Sequence, residues 1–269
     1  MDLTDYHTHT PLCLHAEGAV SEYVQAAQRA RLVHFGIADH APMPDDDFDD
    51  WRMKASDLPA YLDWLAEAKT LLEGSTTELR CGLECDWIPN IEPWIEHLQQ
   101  QNNWDYLIGS VHYLDNKWDF DNPQSLNFWS QTSVESAWDR YWELYLSMIN
   151  SRLFTIAAHA DLIRKFGHRP EGDLKRYYIP VTEALANTGM VLELNTAGWH
   201  KPCAEQYPCF DFLVLAREAD IPIVINSDAH SPSEVARDFA QALELIKKAG
   251  FTHLARLTQG HITRHPILD

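Results

Sequence analysis

The chain has 269 residues, of which 45% are hydrophobic and 23% are charged, and its formal net charge is −19. This composition is typical of a globular protein. No apolar run approaches the roughly 20 residues that span a bilayer. We therefore expect no membrane partner, and the acidic, polar N-terminus differs from the pattern of a signal peptide. The negative charge also argues against nucleic acid as a partner, because an acidic surface repels phosphate.

The five cysteines include no CxxC pair. An odd and sparse set of cysteines is typical of reduced thiols in a cytosolic protein, so we predict a cytoplasmic location. The sequence makes no prediction of oligomeric state. The acidic run 45–50, DDDFDD, predicts a solvated loop, with contact to a cationic part of a ligand as the alternative.

Short β-like runs alternate with amphipathic helical runs along the whole chain. The candidate strands, in order, are LTDYHTH, HFGIADH, ELRCGLECDW, DYLIGSVHYL, FTIAAHA, MVLELNTAG and PIVINSDAH. Repeated strand–helix alternation predicts a parallel sheet with helices outside it. Seven such units without a linker predict one α/β domain over residues 1–269, a closed or nearly closed (β/α) barrel. An open doubly wound sheet is the alternative.

Two helices have clear patterns in the sequence. Apolar residues at helical spacing predict a helix over 57–72. For the last helix, Ser231 is the predicted cap, Pro232 lies in the predicted first turn, and Gly250 marks the predicted end.

Histidine and aspartate recur two residues apart at the ends of three candidate strands. These pairs are His7 with His9, His159 with Asp161, and Asp228 with His230. Side chains at i and i+2 lie on the same face of a strand, so both members of each pair point the same way. Parallel α/β barrels place their active sites at the carboxyl ends of their strands. The pairs therefore predict a common site at that end.

Three further strands carry candidates at the same end, and one lies in the first loop. They are Asp39 and His40, Glu84, His112 and, in the loop, His15. Imidazoles with few carboxylates favour zinc, iron or manganese over magnesium or calcium. About nine side chains at roughly four ligands per ion predict two or three divalent ions, with Glu84 as a bridging ligand.

The alternation of side chains along a strand also assigns cysteines, whereas the other histidines are assigned by their place on predicted helices or tails. Cys81 and Cys85 lie on the strand face opposite Glu84 and are predicted to face the helices. Cys13 lies in the His15 loop, so parity leaves its role open. Six histidines are predicted not to bind metal: His34, His97, His168, His253, His261 and His265.

With these motifs in place, the sequence resembles the polymerase-and-histidinol-phosphatase (PHP) superfamily, and within it the monofunctional histidinol-phosphatase branch. The resemblance extends over almost the whole chain, through HTHT, ADHAP, GLECDW, GSVHYL, HADLIRKF, NTAG and SDAHSP in that order. It implies a distorted seven-unit, TIM-like (β/α) barrel with a trinuclear metal centre at the C-terminal rim of its strands. By position, the implied ligands are His7, His9, Glu84 and Asp228 for the first ion, Glu84, His112 and His159 for the second, and His15, His40 and His230 for the third.

The resemblance implies hydrolysis of L-histidinol phosphate to L-histidinol and phosphate, by attack of a metal-bridging hydroxide on phosphorus. It assigns Arg164 to the substrate phosphate, with a surface ion pair as the alternative. Asp161 is a candidate proton donor to the leaving group, or an orienting residue. Two other functions stay open: a related phosphoesterase acting on another phosphomonoester or a nucleotide, and a metal-binding protein without turnover.

One departure from the family pattern concerns the substrate. Family members commonly have Arg-Lys-Pro shortly after the NT[SA]G motif, whereas this chain has NTAGWHKP, with His200 in place of the arginine. Neutral histidine is a weaker phosphate ligand than arginine. The candidate substrate-binding residues are therefore Arg164, His200 and Lys201, and the departure concerns the identity of the substrate, not the reaction type.

Overall fold

The computed structural model describes residues 2–115, 118–258 and 261–267. Its α-helices are α1 (Val20–Arg29), α2 (Leu58–Leu71), α3 (Glu92–Gln99), α4 (Val134–Ser151), α5 (Lys175–Thr188), α6 (Phe210–Glu218) and α7 (Phe239–Ala249). Its strands are β1 (Thr4–Asp5), β2 (His34–Ile37), β3 (Glu78–Cys81), β4 (Glu84–Asp86), β5 (Ile108–Ser110), β6 (Ile156–Ala157), β7 (Val191–Asn195), β8 (Ile223–Asn226), β9 (His253–Thr258) and β10 (His261–Pro266). Within these ranges no helix has the length and apolar character that crossing a membrane requires.

Parallel pairing organises the first eight strands. One sheet has the order β1-β2-β3 and the other β4-β5-β6-β7-β8, and every pair within them is parallel. Two isolated parallel bridges, Thr8 with Ala229 and His40 with Glu84, join one sheet to the other. The predicted α/β class with parallel strands is confirmed.

The third candidate strand is two strands in the structure. It divides at Gly82, whose N–H donates to the Ile37 carbonyl at 2.9 Å, while the next residue, Leu83, accepts from Ile108 N–H at 2.9 Å. From this point β4 pairs with β5 on one side, while on the other side Glu84 N–H still donates to the Asp39 carbonyl, just beyond β2, at 3.0 Å. A Cβ on Gly82 would lie 2.5 Å from the ring of Tyr106, so no larger residue fits without displacing that ring.

An apolar layer of side chains lies on the same strand faces as the polar residues, which follow at the carboxyl ends of the strands. The layer includes Ile108, Val191 and Val224, all fully or almost fully buried. Glu193 and Asn226 follow Val191 and Val224 by two residues, so they lie on the same faces. The larger core lies between strands and helices; it contains Leu83 and Cys85, with Cys81 packed against it.

The last helix starts later than the sequence predicts. Pro232–Glu234 forms a short 3-10 turn, and α7 begins at Phe239. Between them Ala236 has a φ of 56°, and its N–H donates to the carboxylate of Asp5 at 3.1 Å. Asp5 is buried and distant in sequence, so local propensity could not indicate this interruption.

The C-terminal segment forms an antiparallel hairpin, β9–β10, that we did not predict. Leu257 N–H on β9 donates to the hydroxyl of Tyr6 at 3.0 Å, and Ala255 and Leu257 are buried in the apolar layer. The hairpin thus covers one end of the strand array. It carries His253, His261 and His265, away from the histidines at the strand ends.

Candidate metal centre

Glu84, the first residue of β4, lies at the centre of a cluster of histidines. Its side chain is 1% exposed. Its carboxylate oxygens lie 2.8 Å from His40 Nδ1, 2.9 Å from His159 Nε2 and 3.3 Å from His7 Nε2. Although burial opposes ionisation, His40, His7 and His112 hold the pKa of Glu84 well below its ordinary value. The cluster therefore surrounds an ionised carboxylate.

Asp228 is the second carboxylate of the cluster and lies just after β8. Its Oδ1 is 3.0 Å from His9 Nε2 and 3.7 Å from both His7 Nε2 and His230 Nδ1. Its Oδ2 accepts from Asn195 Nδ2 at 3.2 Å. Asp228 has a φ of 53°, and its carboxylate faces His7 and His9, which lie just after β1.

A third part of the cluster contains imidazoles alone. The rings of His15 and His230 are 4.7 Å apart between centroids, and those of His15 and His40 are 5.4 Å apart. His15 is fixed from its other side, since its Nδ1 lies 2.7 Å from the Cys13 carbonyl. The thiol of Cys13 itself forms a possible ligand group with His9 and His230.

The structure brings all nine predicted ligands into this one cluster. Three groups of donor atoms, each within 4.8 Å of one another, come entirely from the predicted set: His7, His9 and Glu84; His40, Glu84 and His112; and His15, His40 and His230. His159 and Asp228 join it through Glu84 and His9. None of the six histidines predicted not to bind metal belongs to such a group in the described part of the chain.

The cluster has the chemistry of a cation site. In the described ranges three buried atoms that face one another, His7 Nε2, His40 Nδ1 and Glu84 Oε2, lack a well-formed hydrogen bond. Burial lowers the pKa of His40 and His230 well below that of free histidine, which favours neutral rings with a lone pair to donate. Neighbouring carboxylates outweigh burial at His7, His9 and His112 and raise their pKa. Divalent ions fit this donor set of seven imidazoles, five of them buried, and two carboxylates.

Glu193 on β7 holds two of the candidate ligands in place and was missed by the sequence analysis. Its Oε1 lies 2.7 Å from His7 Nδ1, and its Oε2 accepts from the backbone N–H of His159 at 2.7 Å. Asn226 Nδ2 also donates to it at 2.9 Å. A carboxylate behind a ligand histidine fixes the ring and its tautomer. The sequence feature that could have indicated Glu193 is its position as an acidic residue inside the apolar run MVLELN.

Asp39 and Asp86 act in the same way on two other histidines. Asp39 Oδ1 lies 3.2 Å from His9 Nδ1, and Asp86 Oδ1 lies 2.8 Å from His112 Nδ1. Asp39, which the sequence marked as a candidate site residue, therefore contacts Nδ1 of His9, whose Nε2 faces the cluster. Asp86 had no predicted role and is also paired with Arg52, at 2.7 Å.

A cavity of about 420 Å³ opens on the cluster. Its size suits a small metabolite. Beyond the histidines and Glu84, its walls include Trp51, Asp119, Asp121, Lys165, Lys201 and Arg237. Cations and carboxylates therefore share a chamber that reaches the candidate metal site.

Asp161 and Arg164 lie outside this lining and contact each other. Arg164 Nε is 2.9 Å from Asp161 Oδ1, and the arginine side chain is 1% exposed. Its two terminal nitrogens contact Glu205 and the carbonyl of Gln206, and Asp161 also accepts from the N–H of Cys209 at 2.8 Å. All guanidinium nitrogens thus have internal partners, which favours a structural role over the predicted contact with substrate.

His200 and Lys201, in the motif that departs from the family pattern, lie in different environments. His200 is 45% exposed, and its Nε2 lies 2.6 Å from Asp238 Oδ2, outside the cavity lining. Lys201 lines the cavity and has no ion pair in the described part of the chain. Of the three predicted substrate-binding residues, Lys201 alone is placed at the cavity.

The acidic run 45–50 is only partly solvated. Asp45, Asp46, Asp47 and Asp50 are exposed, as predicted. Asp49 is different: its Oδ2 accepts from Arg52 Nε at 2.6 Å and from the hydroxyl of Tyr113 at 2.7 Å. This pairing anchors the loop beside Trp51, whose ring lines the cavity.

Comparison with known proteins gives the family. The model of the PHP domain matches residues 5–197. The chain belongs to the PHP domain family. It is 40% identical over 248 residues to a protein of Deinococcus radiodurans described as a probable histidinol-phosphatase, covering 92% of this chain and 94% of that one. It is 27% identical to the histidinol-phosphatase of Bacillus subtilis, covering 91% and 99%.

A solved structure has the same fold. The crystal structure of histidinol phosphate phosphatase from Lactococcus lactis, complexed with zinc, L-histidinol and phosphate, superposes with a TM-score of 0.81 at 22% identity. The match covers 97% of this chain and 99% of that chain. This likeness supports the fold of the PHP protein, including its parallel strands.

Proposed function

We propose that this PHP protein is a metal-dependent phosphomonoesterase, a histidinol-phosphatase that hydrolyses L-histidinol phosphate to L-histidinol and phosphate. The observation that carries the proposal is the cluster of seven histidines with Glu84 and Asp228 at the base of a metabolite-sized cavity. The names of the relatives supply the substrate. A protein that only stores metal has no need of a metabolite-sized cavity, lined by both lysines and carboxylates, above its ligands.

The nine clustered residues are the proposed ligands, for two or three ions of zinc, iron or manganese. When bound, such ions supply Lewis-acid activation of water and neutralise phosphate charge. Glu84 provides two oxygens toward separate histidine groups, which suits a bridging ligand. Glu193, Asp39 and Asp86 hold His7, His9 and His112 in fixed orientations through their outer nitrogens.

The chain's own cations complete the phosphate side of the cavity. Arg237 is held at 2.9 Å from Glu234, whereas Lys201 faces the cavity without an ion pair in the described ranges. A free ammonium is suited to pair with a phosphate oxygen. We therefore assign Lys201 to substrate binding in place of the family's arginine. Phosphate binding by Arg164 and proton transfer by Asp161 stay predictions.

Replacing Lys201 with methionine is expected to raise KM for the phosphomonoester by about tenfold, with less effect on kcat. A change of this size corresponds to the binding free energy lost with one charge-assisted hydrogen bond. Steady-state phosphate release measures both constants. Lys175→Met is the matched control, because Lys175 is an exposed lysine outside the cavity lining. Equal KM values in the wild type and the Lys201 variant would remove Lys201 from the site.

Removal of metal is expected to abolish phosphate release, because the proposed chemistry needs the ions. The purified enzyme is treated with a chelator, its metal content is counted, and zinc, manganese or iron is restored. L-Histidinol phosphate is assayed beside a panel of nucleotide and sugar phosphomonoesters. Preference for another member of the panel would reassign the substrate, and full activity in metal-free protein would refute the mechanism.

We further propose that residues 1–269 form one domain built as a closed, distorted seven-unit barrel. The two bridges between the sheets, one of them just beyond the ends of β1 and β8, support closure. A single large core that includes residues from Val20 to Ala249 supports one domain. A cytoplasmic location is proposed from the unpaired cysteines, of which Cys13 and Cys85 are buried.

A further inference from the structure

Asp119 differs from the other carboxylates that line the cavity. It is 8% exposed, and its Oδ1 has no hydrogen-bond partner among the described residues. Its Oδ2 accepts from Asn122 Nδ2 at 3.1 Å. The carboxyl group of Asp119 also hydrogen-bonds with that of Asp121. The cavity wall therefore contains a buried oxygen, Oδ1, that accepts from no N–H group of the described residues, and a ligand can supply such a donor.

The other four cavity carboxylates have basic partners. Glu84 and Asp228 contact histidines, Asp121 lies 2.8 Å from Lys165 Nζ, and Glu234 lies 2.9 Å from Arg237 Nη1. Asp119 has no such ion pair in the described part of the chain. Burial, the neighbouring charge of Asp121 and a hydrogen bond with the Asp121 carboxylate raise the pKa of Asp119 to about 7. An arriving cation would favour its ionised form, as any opposite charge does.

Asp119 also lies close to the candidate metal centre. Its backbone forms an antiparallel bridge with Tyr113, and the next residue, Phe120, donates its N–H to the carbonyl of His112 at 3.3 Å. His112 is one of the proposed ligands. A molecule with phosphate at the metal centre therefore has this carboxylate beside it.

We infer that Asp119, supported by Asp121, is the subsite that binds the substrate's ammonium group. The inference rests on the proposed function, because L-histidinol phosphate carries its amine on the carbon next to the phosphorylated one. That short separation requires an anionic group adjoining the metal site. The amine is charged at neutral pH, as alkyl amines are, and donates up to three hydrogen bonds. The subsite selects cationic aminoalkyl phosphates over neutral phosphomonoesters of equal size.

The test uses a pair of ligands that differ only in the amine. L-Histidinol and 3-(imidazol-4-yl)propan-1-ol are titrated calorimetrically into the metal-loaded enzyme, and their phosphates are compared by kcat/KM. The wild type is expected to prefer the amine by about tenfold or more, the order of a charge-assisted hydrogen bond. Asp119→Asn is expected to bring the ratio of both quantities close to one.

The control is Asp115→Asn in the same segment, since Asp115 is 65% exposed and pairs with Arg140 at 2.8 Å outside the cavity. It is expected to keep the wild-type preference. Metal content and circular dichroism verify that each variant is folded and loaded. A wild type that binds both ligands equally overturns the subsite without any variant, which covers the case in which Asp119→Asn does not fold.

Two other results also overturn the subsite. One is an Asp119→Asn enzyme that keeps its preference for the amine. The other is an equal loss of kcat on both phosphates with the preference unchanged, which would make Asp119 a proton donor instead. The proposed function is judged separately, by whether the wild type releases phosphate from L-histidinol phosphate at all. The subsite can therefore fail while the phosphatase activity stands.

Discussion

Replacing Glu84 with glutamine is expected to lower phosphatase activity by more than about 100-fold and to reduce the metal content per chain. Even partners outside the ligand shell commonly change metal affinity or activity by ~10–100-fold, and Glu84 faces several candidate ligands directly. An amide has one neutral oxygen to donate where the carboxylate has two charged ones. Metal analysis of the purified variant and phosphate-release kinetics measure the two effects.

Glu78→Gln provides the control for this substitution. Glu78 lies at the start of β3, its side chain is 65% exposed, and it pairs with Arg80 at 2.6 Å on the surface. This control is expected to retain metal and activity. A Glu84→Gln enzyme with a full complement of ions and wild-type turnover would show that the cluster is not the catalytic centre.

Replacing Arg164 with leucine is expected to lower the free energy of unfolding by about 3–5 kcal/mol. The substitution leaves Asp161 buried without its cation, and breaking a buried ion pair on one side commonly costs that amount. Denaturant unfolding of the purified variant measures the change. If Arg164 instead binds the substrate phosphate, as the resemblance implies, stability would be retained and KM would rise.

Two variants separate these outcomes further. Arg169→Leu removes an arginine that also contacts Glu205 but is 43% exposed, and little loss of stability is expected. The double variant Asp161→Asn, Arg164→Leu removes both charges and keeps an acceptor for the N–H of Cys209. It is expected to recover part of the lost stability. Asparagine also tolerates the φ of 65° at position 161.

Much of the metal cluster could be predicted from the sequence because strand geometry is local. Alternation of side chains predicts His7 with His9, and Asp228 with His230, on common faces. All four residues reach the cluster, although they lie just beyond β1 and β8 and Asp228 has a φ of 53°. The same rule separated Glu84 from its neighbour Cys85, which lies in the main core. The nature of the donors also limited the choice of metals before any distance was known.

The residues around the ligands could not be predicted in this way. Glu193 contacts His7 across 186 positions of sequence, and Asp5 holds the backbone of Ala236 across 231. Neither contact leaves a periodic signal, because each depends on how distant strand ends meet. The same reason explains the late start of α7, where a local cap and proline were outweighed by a buried carboxylate.

The sequence by itself determined which chemical groups this protein offers at its strand ends, since the type and spacing of side chains are local properties. Only the tertiary structure decided which of the charged residues are free to act. It buried Arg164 in an ion pair, turned His200 toward Asp238 and left Asp119 and Lys201 facing the cavity. The physical reason is that the availability of a charge depends on its nearest partners and on burial, and both are set by long-range packing.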